Sequence, residues 1–475
     1  MRAVGRFSRG RLCFALACLL AATALPVAAQ AAEVSVHEES GEPSLVRLDY
    51  QAAPGENNHL TIVYQPQENG YWQLSLVDDG AAIAAGAGCT DSGAAGTAAH
   101  CRIHEPKSSD IEYCGRMCLA PISGTAWKDS FHVSLGDGDN FFDGQAFAST
   151  YGASVAMEVS SGDGIDQILT GNGSDTIDPG GGADAVHSND GEDRILTTSA
   201  ADGPDLYDAG PSVDRLSYAS RTTPVELHDA TAGAPGEGDS LVGWFYLVAG
   251  SGDDVLVGDP HDLVLDGGAG NDVVSASASS SELYGGPGDD TLDTLRSGPE
   301  SINHLVGEEG NDTYRGGPGT DIIREQEAHW LWPPEAPPVS SGDDVAFGGP
   351  GRDVFEMRGG RDLAYGEDGS DTLDGGGEGD VLSGGAGPDL LIGGSGFDLL
   401  RGGSGSDVIF SSHWHWRSLI RNSKSFPFPP VGDDGSDRIS CGTGSDSAFS
   451  NPWDHLNGCE QIHLRPHPKQ GRKRL

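Results

Sequence analysis

From Val339 to Phe410 an apolar residue returns at every ninth position: Phe355, Ala364, Leu373, Leu382, Leu391, Leu400 and Ile409. Rows of nine align as GGPGRDVFE, MRGGRDLAY, GEDGSDTLD, GGGEGDVLS, GGAGPDLLI, GGSGFDLLR and GGSGSDVIF. Columns seven to nine are rich in Val, Ile, Leu and Thr, which suit a pleated strand, and the apolar eighth column marks the inward face. Columns one to six are rich in glycine, as a turn that enters positive φ requires. One such strand buries too little surface to be stable alone, so the rows must stack into a solenoid with a shared core.

The sixth column adds charge to this pattern. It holds Asp353, Asp362, Asp371, Asp380, Asp389, Asp398 and Asp407, with Asp344 one row earlier. Together the glycine, aspartate and aliphatic columns fit G-G-x-G-x-D-x-U-x, a nonapeptide pattern of calcium-binding solenoids. The stretch therefore resembles the RTX, or haemolysin-type, calcium-binding repeat. The resemblance implies an all-β fold, a parallel β-roll in which two rows make one coil. Asp344, Asp362, Asp380 and Asp398 then line one edge, and Asp353, Asp371, Asp389 and Asp407 the other. Stacked carboxylates about 4.8 Å apart repel by roughly 1 kcal/mol in water and about 3.5 at an effective dielectric of 20. A hard cation with six to eight oxygen ligands, calcium rather than magnesium, suits such a ladder.

Further rows lie on both sides. Asp166, Asp175, Asp184 and Asp193 are nine apart, with Ile168, Ile177, Val186 and Ile195 as the inward column. Asp205 and Asp214 follow after a three-residue slip, and Asp205 joins the expected ligand set. Residues 215–248 break the pattern, with Arg215–Arg221 and Pro224–Leu227 predicted as longer strands that carry the sheet on. Asp254, Asp272 and Asp290 are eighteen apart, with Leu263 and Ser281 at the intervening positions, so calcium is expected along one edge only. Asp312 and Asp321 form another pair, and Asp437 and Asp446 close the series. The expected roll thus covers 135–324, 339–410 and 432–462. Two Trp/Pro-rich loops, 325–338 and 411–431, interrupt it, and a basic tail spans 463–475. Trp330, Trp332, Trp414 and Trp416 leave two readings open, stacking on a sugar or a partner, or covering the flank of the roll. His413 and His415 beside Trp414 are too few to make a metal site.

The N-terminal region has a different texture. Residues 1–31 read as a secretory signal, with Arg2, Arg6, Arg9 and Arg11 ahead of an apolar run and Ala29–Ala31 as a cleavage site. Residues 32–134 predict a small β-domain from Leu45–Tyr50, Leu60–Tyr64 and Tyr71–Val77. Phe131–Asp143 is a degenerate row with Asn140 in the aspartate column, expected to cap the roll. Six cysteines follow the signal, and Cys89/Cys101, Cys114/Cys118 and Cys441/Cys459 are the nearest-neighbour pairs. Disulfides fit an exported chain; zinc at Cys114 and Cys118 would need Cys89 and Cys101 to converge on them.

Acidic residues number 72 and basic ones 28, for a net charge of −44. That balance argues against nucleic acid as a partner, and no stretch after the signal reads as a membrane span. An anionic cell-surface polymer or a protein remains as a partner class. RTX repeats are often attached to hydrolases or toxins, but no G-x-S-x-G, H-E-x-x-H or Walker loop occurs. The expectation is a secreted, non-enzymatic calcium-binding module; the alternative is an exported hydrolase or toxin-like enzyme on an RTX scaffold.

Overall fold

The computed structural model describes residues 32–39, 45–52, 57–67, 71–78, 83–85, 89–91, 98–104, 129–145, 156–228, 230–258, 264–277, 280–325, 342–412 and 436–464. No α-helix occurs among them. Each nonapeptide row forms a strand and a turn. Val345–Gly351 pairs in parallel with Leu363–Gly369, then with Val381–Ala386 and Leu399–Gly405. Val354–Glu356, Thr372–Gly377, Leu390–Ser395 and Val408–Phe410 form the opposite stack. Partners are eighteen residues apart, as in Leu382 opposite Leu400, so two rows do make one coil. Between the two parallel sheets lie the eighth-column side chains, Phe355, Leu373, Leu382, Leu391, Leu400 and Ile409, all fully buried. A single inward residue per row suffices because each packs against its counterparts above and below.

The turns permit this stacking only with glycine at the closest approach. Gly396 lies at φ 131°, and a Cβ there would fall on the Glu378 carbonyl oxygen of the preceding coil.

The same sheet and core run through the N-terminal region. Leu45–Gln51 and His59–Gln67 pair in parallel with Asp129–Ser134 and Phe141–Asp143, so they form a further coil. The Asn140 row therefore lies inside the roll. Its end is covered instead by antiparallel strands: Ala32–Glu39 on Leu45–Gln51, and Tyr71–Asp78 followed by Ala98–His104 on His59–Gln67. An open edge of a parallel stack presents unpaired backbone groups, and a change of strand direction ends the template. Cys89–Cys101 bonds the short antiparallel strand Cys89–Asp91 to Ala98–His104, which removes both cysteines from a zinc site. At the other end Cys441–Cys459 ties the strand Arg438–Gly444 to the segment after His455–Asn457.

In the irregular segment the long strands are Leu206–Ser217 and Asp239–Val248. The expected strand at Pro224–Leu227 is instead the short Glu226–His228, which folds back antiparallel on Thr231–Ala232. This hairpin joins the first repeat block to the second, because Thr231–Ala232 continues antiparallel to Asp239–Val248 while Glu226–His228 is parallel to Val255–Gly258. Neither interruption disturbs the register: Thr313 pairs with Val345, and Leu399 with Arg438. Glu325, Ser411 and Ser412, expected in the loops, are buried in turns of the roll. The signal, Cys114 and Cys118, the four loop tryptophans, His413, His415 and nearly all of the basic tail lie outside the described residues.

Gly396→Ala should lower stability by roughly 2 kcal/mol or more, since strain and a coil-to-coil clash combine. Gly236→Ala carries a comparable positive φ with open space around the Cβ, and should cost about 1 kcal/mol. Chemical denaturation in calcium compares the two; equal losses would mean that coil contact does not select the glycine.

Candidate metal centre

The sixth-column aspartates stand where each turn re-enters a strand, and each does the same structural task. One carboxylate oxygen accepts the backbone N–H of the aspartate one coil earlier. Asp344 N–H donates to Asp362 Oδ1 at 2.9 Å, Asp362 to Asp380 at 3.0 Å, Asp380 to Asp398 at 3.0 Å and Asp398 to Asp437 at 2.9 Å. On the other edge Asp353 donates to Asp371, Asp371 to Asp389, Asp389 to Asp407 and Asp407 to Asp446. The ladders extend backwards through Asp254, Asp272, Asp290 and Asp312 to Asp344, and through Asp321 to Asp353. In the first block Asp166, Asp184 and Asp205 share one edge, and Asp175, Asp193 and Asp214 the other. The structure thus places every aspartate expected from the repeat in one of two ladders.

The second oxygen is different. Oδ2 has no hydrogen-bond partner in Asp175, Asp184, Asp193, Asp272, Asp290, Asp344, Asp353, Asp362, Asp371, Asp380, Asp389, Asp407 and Asp446, though all are buried. Leaving a buried carboxylate oxygen unpaired is costly. Burial accordingly pushes eight of these acids up to values near or above neutrality in the metal-free chain: Asp380 to about 9, Asp290, Asp353 and Asp362 to about 8, and Asp184, Asp193, Asp272 and Asp389 to about 7. Hydrogen bonds from the preceding coil's N–H oppose the rise, and nearby acids mostly add to it, as the rungs Asp362 and Asp398 and the ninth-column Asp374 do at Asp380.

What surrounds Oδ2 is oxygen. A Cβ placed on Gly366 would meet Asp371 Oδ2 at 2.5 Å and the Gly384 carbonyl oxygen at 2.6 Å; one on Gly348 would meet Asp353 Oδ2 at 2.5 Å and the Gly366 carbonyl oxygen at 2.9 Å. First-column glycine therefore leaves a cradle lined by a carboxylate and by carbonyls of successive coils, the donor set of a hard cation. Asn140 shows what this cradle accepts. Its Oδ1 takes the Asn58 N–H at 2.9 Å, as an aspartate would, while Nδ2 donates to the carbonyls of Gly136 and Gly138 at 2.9 and 2.6 Å. The amide puts the positive end of a dipole where the aspartates offer a bare oxygen.

At the joint between blocks the chain supplies its own donors. Tyr207 hydroxyl donates to Asp205 Oδ2 and Tyr218 hydroxyl to Asp239 Oδ2, both at 2.7 Å. Asp205 thus differs from most other expected ligands, because its second oxygen is already engaged. Arg221, fully buried, makes a two-pronged contact with Glu237, donates to the Thr198 carbonyl at 3.1 Å and lies over the Tyr218 ring. Burial would raise Glu237, but the Arg221 hydrogen bonds hold it below the usual glutamate value. Asp166, Asp254, Asp312 and Asp321 also have a donor on Oδ2: Ser161 hydroxyl, Gly250 N–H, Tyr314 hydroxyl and Gly317 N–H respectively.

Several ladder members escape the nine-residue count. Asp239 follows Asp205 by 34 residues, and Asp454 and Glu460 accept from Asp437 and Asp446 at shortened spacings. Asp214 was legible, since Leu216 stands two residues later in the inward column. Opposite Asp254, Asp272 and Asp290 the other edge carries Ser281 and Asn303 and, among the described residues, no carboxylate between Asp214 and Asp321.

Two facing parallel sheets with a carboxylate ladder along each edge define a parallel β-roll built from nonapeptides. A model of the RTX calcium-binding nonapeptide repeat matches residues 160–195, 246–274, 266–296, 300–323, 339–356, 358–382 and 383–412. The chain thus carries several RTX calcium-binding repeats between residues 160 and 412. No curated protein matches it.

Folded-state values above the unfolded one mean that metal-free stability is full below about pH 4 and is lost as pH rises through about 6 to 9. In chelator, the strand signal in circular dichroism should therefore grow as pH falls from 8 to 5; a signal that shrinks on acidification contradicts the buried ladders. Asp272→Asn should weaken calcium binding in its segment by about tenfold, whereas Ser281→Ala should leave it unchanged by calorimetry.

Proposed function

We propose that this is an exported calcium-binding repeat protein that completes its fold on meeting extracellular calcium and serves as a structural or binding module. The row of partnerless Oδ2 atoms carries the reading: the backbone already satisfies half of each carboxylate, and the other half faces oxygen. Calcium would supply the positive charge that these cradles lack. The ladder aspartates with a free Oδ2, together with turn carbonyls such as those of Gly366 and Gly384, would hold it. Asp166, Asp205, Asp254, Asp312 and Asp321, each with a donor on its second oxygen, would contribute less.

Export is supported by the arginine-led apolar start of the sequence and by two disulfides, which persist in oxidising compartments. Extracellular modules bind calcium at about 10⁻⁴–10⁻³ M. At about 1 mM calcium, a site with a Kd of about 0.1 mM would stabilise the fold by roughly 1.4 kcal/mol, and many such sites act together. A non-enzymatic role fits the absence of a catalytic motif from the sequence. No observation favours the exported-hydrolase alternative.

Circular dichroism and equilibrium dialysis of the full chain test the proposal. In EGTA at neutral pH much of the strand signal should be lost, and it should return on adding calcium with several ions bound per chain. An unchanged spectrum together with no bound calcium would sink the reading.

A further inference from the structure

Along one edge of the roll the first-column residues form a stack of their own. Val306, Arg324, Glu356, Asp374 and Ile392 are successive register partners, so the residues that follow them, Gly307, Glu325, Met357, Gly375 and Gly393, occupy equivalent places. Glycine is usual there because the side-chain position coincides with the cradle. Two residues of the stack depart from glycine, Met357 with an apolar side chain and Glu325 with a carboxylate, and both are buried. Carboxylate oxygens of Glu325, Asp344 and Asp362 all lie within 4.8 Å of one another. Asp344 and Asp362 are 1% and 0% exposed; the Glu325 carboxyl is within hydrogen-bond reach of Asp344, and Asp362 Oδ2 has no hydrogen-bond partner. The nearby guanidinium of Arg361 is turned outwards onto Asp343 at 2.7 Å, where both groups are exposed. The Gly359 N–H lies 3.4 Å from both Glu325 oxygens.

We infer that Glu325, Asp344 and Asp362 form a three-carboxylate calcium site, distinct from the ordinary rungs and filled before them. The inference rests on the calcium reading above and deepens it. An ordinary rung offers carboxylates from the aspartate ladder and neutral carbonyls. Here a third carboxylate enters the same cradle, and affinity among oxygen sites rises with the number of charged ligands. Glu325 and Asp344 lie on either side of the 326–341 excursion. Ligation by both therefore ties the two flanks together at its base and joins them to the next coil through Asp362.

Calcium titration calorimetry and equilibrium dialysis of the full chain test this with Glu325→Gln, Glu325→Gly and, as a control on the opposite ladder, Asp389→Asn. Wild type should show one class tighter than the rest by about tenfold or more. Both Glu325 variants should lose that class while keeping the weaker ones, and Asp389→Asn should retain it. Glu325→Gly places in this turn the residue its stack carries at Gly375 and Gly393, so it guards against a variant that merely misfolds; thermal melting in saturating calcium checks the fold of each. If wild type binds calcium but the variants show the same classes, the inference fails alone. It also fails if Glu325→Gly binds one ion more than wild type, because Glu325 would then occupy the cradle as a protonated plug. If wild type binds no calcium, the functional reading falls first.

Discussion

The desolvation of one carboxylate per row governs this molecule. Stacking coils at strand spacing puts each sixth-column aspartate against its neighbours and away from water. Half of the resulting cost is met internally, since Oδ1 caps a backbone N–H that the turn would otherwise leave unpaired, as Asp362 does for Asp344. The other half, at Oδ2, is left for a positive group. The aspartate is thus both a required part of the turn and a source of instability in the metal-free chain.

Where the ladder is not left bare, the chain itself provides the partner. Asn140 uses an amide, Asp205 and Asp239 use tyrosine hydroxyls, and Glu237 uses Arg221. Such partners occur at the N-terminal coils and at the joint between blocks, and again at Asp312 and Asp321. The roll thus combines stacks of bare carboxylate oxygens with segments that satisfy their own polar groups. A continuous core runs beneath both kinds, from Val34 to Ala448, so they share one hydrophobic spine and differ in their edges.

The exceptions to the nonapeptide rule are local to the turns. Insertions at 326–341 and 413–435 leave strand register unchanged, because pairing is decided by the inward residue and the capping aspartate. The antiparallel strands that close the N-terminal end and Cys441–Cys459 near the other show how such a stack is finished. Parallel coils template their own extension, so a finished end needs a different geometry or a covalent tie.

The nine-residue period by itself determined the inward column and the aspartate column. Two rows per coil, and with it the two-edge placement and the single edge of Asp254, Asp272 and Asp290, was what the resemblance to the RTX repeat implied, and the eighteen-residue strand pairing agrees with it. Only the tertiary structure decided which oxygen of each carboxylate is already engaged, because that depends on the neighbouring coil. The same holds for Asp239, Asp454, Glu460 and Glu325, which reach the ladders through irregular spacings or from another column. The N-terminal strands joined the roll for a similar reason: their alternating pattern fits a separate sandwich equally well, and a partner eighty residues away chose between the two.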